Sequence, residues 1–241
     1  MTRAPKKRPA SITKKPVAKA AKVDRAVPNT LIPKTKGQAE FIRTIAENEL
    51  TICKAPAGVG KTFISVGMAC QYLMDGESGV KRIVITRPLV QCGPGMGYLP
   101  GDLEAKASPF MRPLFDALNY FLTPDKAKYY LANNTIEIVP LEIMRGDNLH
   151  NSFVILDEMQ NCSYKQLEMF ATRLGENSKT VISGDLRQSD LDKYNFSNSE
   201  TIQTRFIDKL VGSEGIGYCE LGFEDIVRSG LAKTIIIKLF S

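Results

Sequence analysis

The sequence predicts an α/β architecture, with a mostly parallel central sheet covered by helices on both faces. Three observations carry this reading. Short apolar runs of strand character alternate with longer helical patterns from about residue 36 onward. A glycine-rich turn, Ala55-Pro56-Ala57-Gly58-Val59-Gly60-Lys61-Thr62, separates one such run from the helix after it. A second run, Phe153-Val154-Ile155-Leu156, is wholly apolar and ends in Asp157-Glu158, as a strand buried on both faces would.

The elements follow in order. Gln38 to Glu49 places Phe41, Ile42 and Ile45 at helical spacing. Leu50 to Ala55 reads as a strand, and Phe63 to Met74 as a buried helix. Lys81 to Thr86 is the next strand. Residues 88–101 hold three prolines and four glycines and must be loop. A helical pattern resumes over 102–121. Ile136–Val139 and Phe153–Leu156 are strands, Tyr164–Leu174 a helix, and Thr180–Ser183 a strand. Ser199–Val211 is helical, with Ile202, Phe206, Ile207 and Leu210 on one face, and Ile216–Leu221 is a further strand. Glu224–Phe240 reads as a last helix, although Ile235-Ile236-Ile237 also permits a strand.

Charge divides the chain in two. Of its 32 Lys+Arg and 26 Asp+Glu, eleven and one fall in residues 1–36, so the tail carries +10 and the remaining 21 and 25 leave the body at −4. Prolines 5, 9, 16 and 28 block a continuous helix in the tail. Low hydrophobicity with high charge predicts disorder there. The expected division is a basic disordered tail over 1–34 and one domain over 35–241. The tail reads either as a solubilising terminus or as an electrostatic arm for nucleic acid, since Lys and Arg neutralise phosphates. No run of about 18 apolar residues occurs, so a membrane span is not expected. No apolar segment of a secretory leader is present either. Five scattered cysteines without a C-x-x-C pair read as free thiols in a reducing, cytoplasmic compartment.

The chemistry concentrates in three motifs. The turn matches the phosphate-binding pattern G-x-x-x-x-G-K-[ST], with Ala55 in place of the first glycine. Gly58 and Gly60 let successive N–H groups curl towards an anion, and the helix behind them adds its positive end. Ala57, Gly58, Val59, Gly60, Lys61, Thr62 and Phe63 are the expected nucleotide contacts. Lys61 bridges phosphates and Thr62 holds Mg²⁺. Asp157, emerging from an apolar strand, is the second Mg²⁺ residue, and Glu158 is the general base for an attacking water. Thr180–Ser183 runs into Gly184-Asp185-Leu186-Arg187-Gln188, where Gln188 is placed to orient water or sense the terminal phosphate.

The turn, the Phe153–Asn161 run and the Ser183–Asp190 run together resemble motifs I, II and III of superfamily 1 helicase-like ATPases. More closely, the chain resembles the PhoH family of phosphate-starvation-inducible ATPases. Lys36-Gly37-Gln38, Thr86-Arg87-Pro88, Met144-Arg145-Gly146 and Asp225-Ile226-Val227-Arg228 carry the resemblance across about residues 33–241. It implies a single RecA-like core that binds and hydrolyses ATP with Mg²⁺, a Gln38 that recognises adenine, and a homo-oligomeric ring, a hexamer by family resemblance. It also implies that Arg228 is an arginine finger for the neighbouring subunit's site, with Arg87 and Arg145 as lesser phosphate contacts. Met159 stands where the family has alanine, and Ser229-Gly230 where a histidine-proline pair is common.

The expected function is therefore Mg²⁺-dependent ATP hydrolysis, acting on or stimulated by RNA or single-stranded DNA, with ring helicase action as its extended form. The alternative is a nucleic-acid-binding or partner-docking module switched by ATP with little turnover. A small-molecule kinase fits the turn but not the Asp157-Glu158 pair. The glycine-rich loop Gln91–Gly101 is either a packing loop or a substrate contact through Tyr98.

Overall fold

The computed structural model describes residues 29–89, 103–144, 148–188 and 202–240. Its elements are α1 (Lys36–Glu47), β1 (Leu50–Lys54), α2 (Lys61–Met74), β2 (Arg82–Arg87), α3 (Leu103–Leu122), α4 (Pro124–Ala132), β3 (Ile136–Pro140), β4 (Ser152–Leu156), α5 (Tyr164–Ala171), β5 (Lys179–Gly184), α6 (Ile202–Leu210), β6 (Ile216–Glu220) and α7 (Gly230–Phe240). Six strands form one sheet in the order β3-β2-β4-β5-β1-β6. Every pairing is parallel. The expected parallel α/β architecture is the observed one.

Strand alternation divides the core into two layers. Ile83 and Ile85 of β2 and Phe153 and Ile155 of β4 point to the layer packed by α1, α2 and α3. Val84, Val154 and Leu156 point the other way, to the layer of α5 and α6. Side chains that alternate along a strand must bury on both faces when both faces carry helices. That explains why β4 reads as an unbroken apolar run. Gly67 lets α2 and α3 approach closely, because a Cβ there would lie 2.7 Å from the Phe121 ring. Phe121 itself is fully buried.

The elements differ from expectation in three places. The helix α4 was not legible as a separate element, although its start is well marked. Thr123 Oγ1 accepts from the Lys126 N–H at 3.5 Å, Pro124 takes the first turn, and Asp125 follows. The last helix starts at Gly230, not Glu224, because Phe223–Asp225 forms a short 3₁₀ turn. Its triple isoleucine is helical, with Ile236 and Ile237 packed on the core. The body also begins earlier than residue 35. Leu31 is buried in the core, and Asn29 Nδ2 donates to the Tyr120 carbonyl at 2.6 Å. The remainder of the tail, residues 1–28, lies outside the described residues, as does the loop over 90–102 with Tyr98.

Cys53, Cys70, Cys162 and Cys219 are free and buried. Burial pushes the Cys70 thiol up to about 12. Among the described residues no helix is long and apolar enough to cross a membrane.

Replacing Phe121 with alanine would open a cavity between α2 and α3. Urea unfolding of Phe121→Ala is expected to show a loss of about 3–5 kcal/mol. A loss under about 1 kcal/mol would mean that this helix pair does not depend on the ring.

Candidate functional site

The site is assembled at the carboxyl ends of the parallel strands. The turn after β1 carries Gly58 and Gly60 at φ 86° and 89°, a left-handed conformation that a side chain would strain. Gly60 caps α2, and Ile64 N–H closes the first helical bond to its carbonyl at 2.9 Å. The N–H groups of Lys61, Thr62 and Phe63 therefore have no intrahelical acceptor and point to the mouth of the turn. Lys61 is 8% exposed, and its Nζ donates to the carbonyls of Ala55 at 2.8 Å and Pro56 at 3.0 Å. The result is an anion cradle of N–H groups with a cation beside it.

Asp157 follows β4, which pairs with β2 on one side and β5 on the other. Its carboxylate is fully buried and three groups converge on it. Thr62 Oγ1 donates to Oδ2 at 2.8 Å, Arg87 Nη2 donates to Oδ2 at 2.6 Å, and Ser183 Oγ donates to Oδ1 at 3.0 Å. The next residue, Glu158, sits at φ 60°, ψ 44°. A non-glycine residue in this left-handed region costs about 1–2 kcal/mol. The turn swings the Glu158 carboxylate out of the strand and into the cavity, where it receives Gln160 Nε2 at 2.5 Å and lies 3.7 Å from Arg87.

A second set of bonds joins this centre to the anion cradle. Gln160 Oε1 accepts from the Asp185 N–H at 3.0 Å, and Asp185 Oδ2 accepts from the Ala57 N–H at 3.0 Å. Ala57 thus gives its N–H to a carboxylate of its own chain. Asp185 is 5% exposed. Gln188 closes the 3₁₀ turn Leu186–Gln188, and its side chain lies outside the described residues. Arg145 lies outside them as well.

Two further expected residues, Gln38 and Arg228, lie against the turn. Gln38 is 4% exposed and holds the turn from behind: its Nε2 donates to the Val59 carbonyl at 2.8 Å, and its Oε1 accepts from the Lys34 N–H at 2.7 Å. It does not line the cavity. Arg228 is exposed, and its side chain lies along the turn of its own chain. Val227 N–H donates to the Gly58 carbonyl at 3.2 Å, and a Cβ on Gly58 would lie 2.9 Å from Arg228 Cγ. The arginine therefore covers the turn of its own chain. Asp225 anchors this segment, accepting from the N–H groups of Gly37 at 3.1 Å and Gly222 at 3.0 Å.

The cavity has a volume of about 640 Å³, within the range of small-molecule sites. Lys61, Thr62, Arg87, Glu158 and Arg228 line its polar end. The oxygen set suits a magnesium ion. A hydroxyl and a carboxylate 2.8 Å apart are hard donors, and Mg²⁺ takes few protein ligands beside water and phosphate. Among the described residues no group of three or more His, Cys, Asp or Glu forms a self-sufficient metal cage.

Sequence reasoning passed over Ser183 and Gln160 and gave Asp185 no role of its own. The Ser183-Gly184-Asp185 run and the glutamine two residues after Glu158 were the available signals. Their distant partners, Asp157, Asp185 and Ala57, lie in the segments that follow other strands.

Comparison with known proteins identifies the family and the fold. The family model described as PhoH-like protein matches residues 30–240. The chain is 42% identical over 203 residues to a PhoH-like protein of Synechocystis, covering 84% of this chain and 60% of that protein. It is also 42% identical over 203 residues to a PhoH-like protein of Bacillus subtilis, covering 84% of this chain and 62% of that one. It therefore spans about three fifths of the length of these relatives. In fold it is similar to the large terminase of bacteriophage HK97, with a TM-score of 0.51 at 15% identity, over 80% of this chain and 40% of that one.

Removing Arg87 would leave the buried Asp157 carboxylate short of its cation. Breaking one side of such a pair costs about 3–5 kcal/mol when fully buried. Arg87 is 14% exposed, so urea unfolding of Arg87→Met is expected near the lower end, about 3 kcal/mol. Unchanged stability would show that Asp157 does not rely on this pair.

Proposed function

The chain belongs to the PhoH-like protein family, and from that premise we propose that it is a Mg²⁺-dependent ATP hydrolase that acts on, or is stimulated by, RNA or single-stranded DNA. The observation that carries the reading is the junction of Thr62, Asp157 and Glu158. A hydroxyl at the anion cradle is bonded to a buried carboxylate, and the adjacent residue is strained so that its own carboxylate enters the cavity.

On this reading the turn from Gly58 to Phe63 binds the polyphosphate, and Lys61 sits beside its terminal groups. Thr62 and Asp157 would hold Mg²⁺, which supplies neutralisation of phosphate charge. Glu158 takes a proton from a water molecule as the water oxygen attacks the terminal phosphorus; the bond to the bridging oxygen breaks and ADP leaves. Gln160 and Arg87 hold the Glu158 carboxylate in position. Arg228, lying over Gly58, offers positive charge to the transition state from within the same chain. Gln188 keeps its water-orienting role on the strength of its place after β5.

Support for nucleic acid as partner comes from the +10 tail, whose charge would release counterions on binding phosphates. The homo-oligomeric ring rests on the family resemblance. On α7, Leu231, Ile235 and Leu239 recur every fourth residue and are 75%, 48% and 69% exposed, the surface that favours it.

Steady-state ATP turnover tests the proposal, measured with and without single-stranded RNA or DNA. Glu158→Gln is expected to keep ATP binding and lose turnover by a factor on the order of 10²–10⁴, whereas Lys61→Ala loses both. Retained turnover in Glu158→Gln removes it as the base. ATP binding without turnover in the unsubstituted protein would favour the switched nucleic-acid-binding module.

A further inference from the structure

Beside the turn, the cavity is also lined by Phe63 of α2 and by Pro113, Asp116, Ala117 and Tyr120 of α3. Phe63 directly follows Lys61-Thr62 and is 38% exposed. Tyr120 of α3 is 47% exposed, with its ring centroid 5.2 Å from that of Phe63. Both rings line the cavity that holds Lys61 and Glu158. The fully buried Phe121 supports them from below, 4.7 Å from Phe63 and 5.0 Å from Tyr120. Two half-exposed rings, tilted 56° to each other and packed on a buried third, offer a base one face and one edge that are ordered before a ligand arrives.

We propose that Phe63 and Tyr120 form the nucleobase platform of this site, so that its ligand is a nucleoside triphosphate held at one end by the turn and at the other by base stacking. The inference rests on the phosphate-site reading above. Stacking accepts any base, because every base presents a π-face. Gln38, the residue the resemblance assigns to adenine, is held behind the turn by Val59 and Lys34. Purine nucleotides are therefore bound with little discrimination between adenine and guanine. The platform belongs to the nucleotide and not to a nucleic-acid strand, because Phe63 lies in the first turn of the helix whose N–H groups face the anion.

The chain contains no tryptophan, so Tyr120→Trp installs a single reporter on the platform. With Mg²⁺ present, ATP and GTP are expected to change its emission, and inorganic tripolyphosphate is not. By calorimetry, Tyr120→Ala should weaken ATP and GTP binding roughly tenfold while leaving tripolyphosphate affinity unchanged, and Tyr120→Phe should keep the affinity of the unsubstituted protein. ATP affinity unchanged in Tyr120→Ala overturns the platform, and so does a loss shared equally by tripolyphosphate. A reporter that answers to a single-stranded oligonucleotide and not to ATP assigns the rings to nucleic acid and overturns it too. If the unsubstituted protein binds neither ATP nor tripolyphosphate, the phosphate-site reading itself fails and takes the platform with it.

Discussion

The structure depends on one buried carboxylate. Asp157 has no solvent exposure, and a buried charge is tolerated only when it is paired and hydrogen-bonded. Its three donors come from different elements: Thr62 from the start of α2, Arg87 from the end of β2 and Ser183 from within β5. Satisfying Asp157 therefore aligns the ends of β2, β4 and β5 with the anion cradle. If one of these elements slipped along the sheet by a residue, a bond would be lost and the carboxylate left short. The group that fits a metal also sets the register of the site.

Around that centre, a chain of polar contacts leads from Glu158 through Gln160 and Asp185 to Ala57. It connects the residue that would activate water to the start of the turn that would hold phosphate. From the other side, Gln38 and the Val227-Arg228 segment grip the same turn at Val59 and Gly58. Asp225 then ties that C-terminal segment back to the start of α1. The turn is thus held by α1, by the residues after β5 and by those before α7. Movement of phosphate in the cradle would be felt first by these three segments, because they touch it directly.

Some elements were legible because their physics is local. The run Phe153 to Leu156 is apolar throughout since both faces of β4 meet helices, and the residues after it had to turn polar. Gly58 and Gly60 marked left-handed backbone at a strand–helix junction, and Lys61 and Thr62 followed at fixed spacing. The helix α4 was harder to see: its nine residues bury only Ala127 fully, which leaves too weak an apolar stripe to detect. The starting point of the body was misplaced for a related reason. Leu31 sits amid proline and lysine, and only contact with the core identifies it.

What the sequence determined by itself was the alternation of strands and helices, the anion-binding turn and the acid pair, since each is written in residues adjacent along the chain. What tertiary structure alone decided was who meets whom. Arg87 reaches Asp157 across 70 positions because β2 and β4 are neighbours in the sheet. Gln38 lies behind the turn and Arg228 above it, because α1 and the segment before α7 pack on either side of the same glycines. Phe63 and Tyr120 share a wall because Gly67 lets α3 close on α2. Strand order and helix approach are properties of the packed core, where burial is shared among distant residues, and no local pattern encodes them.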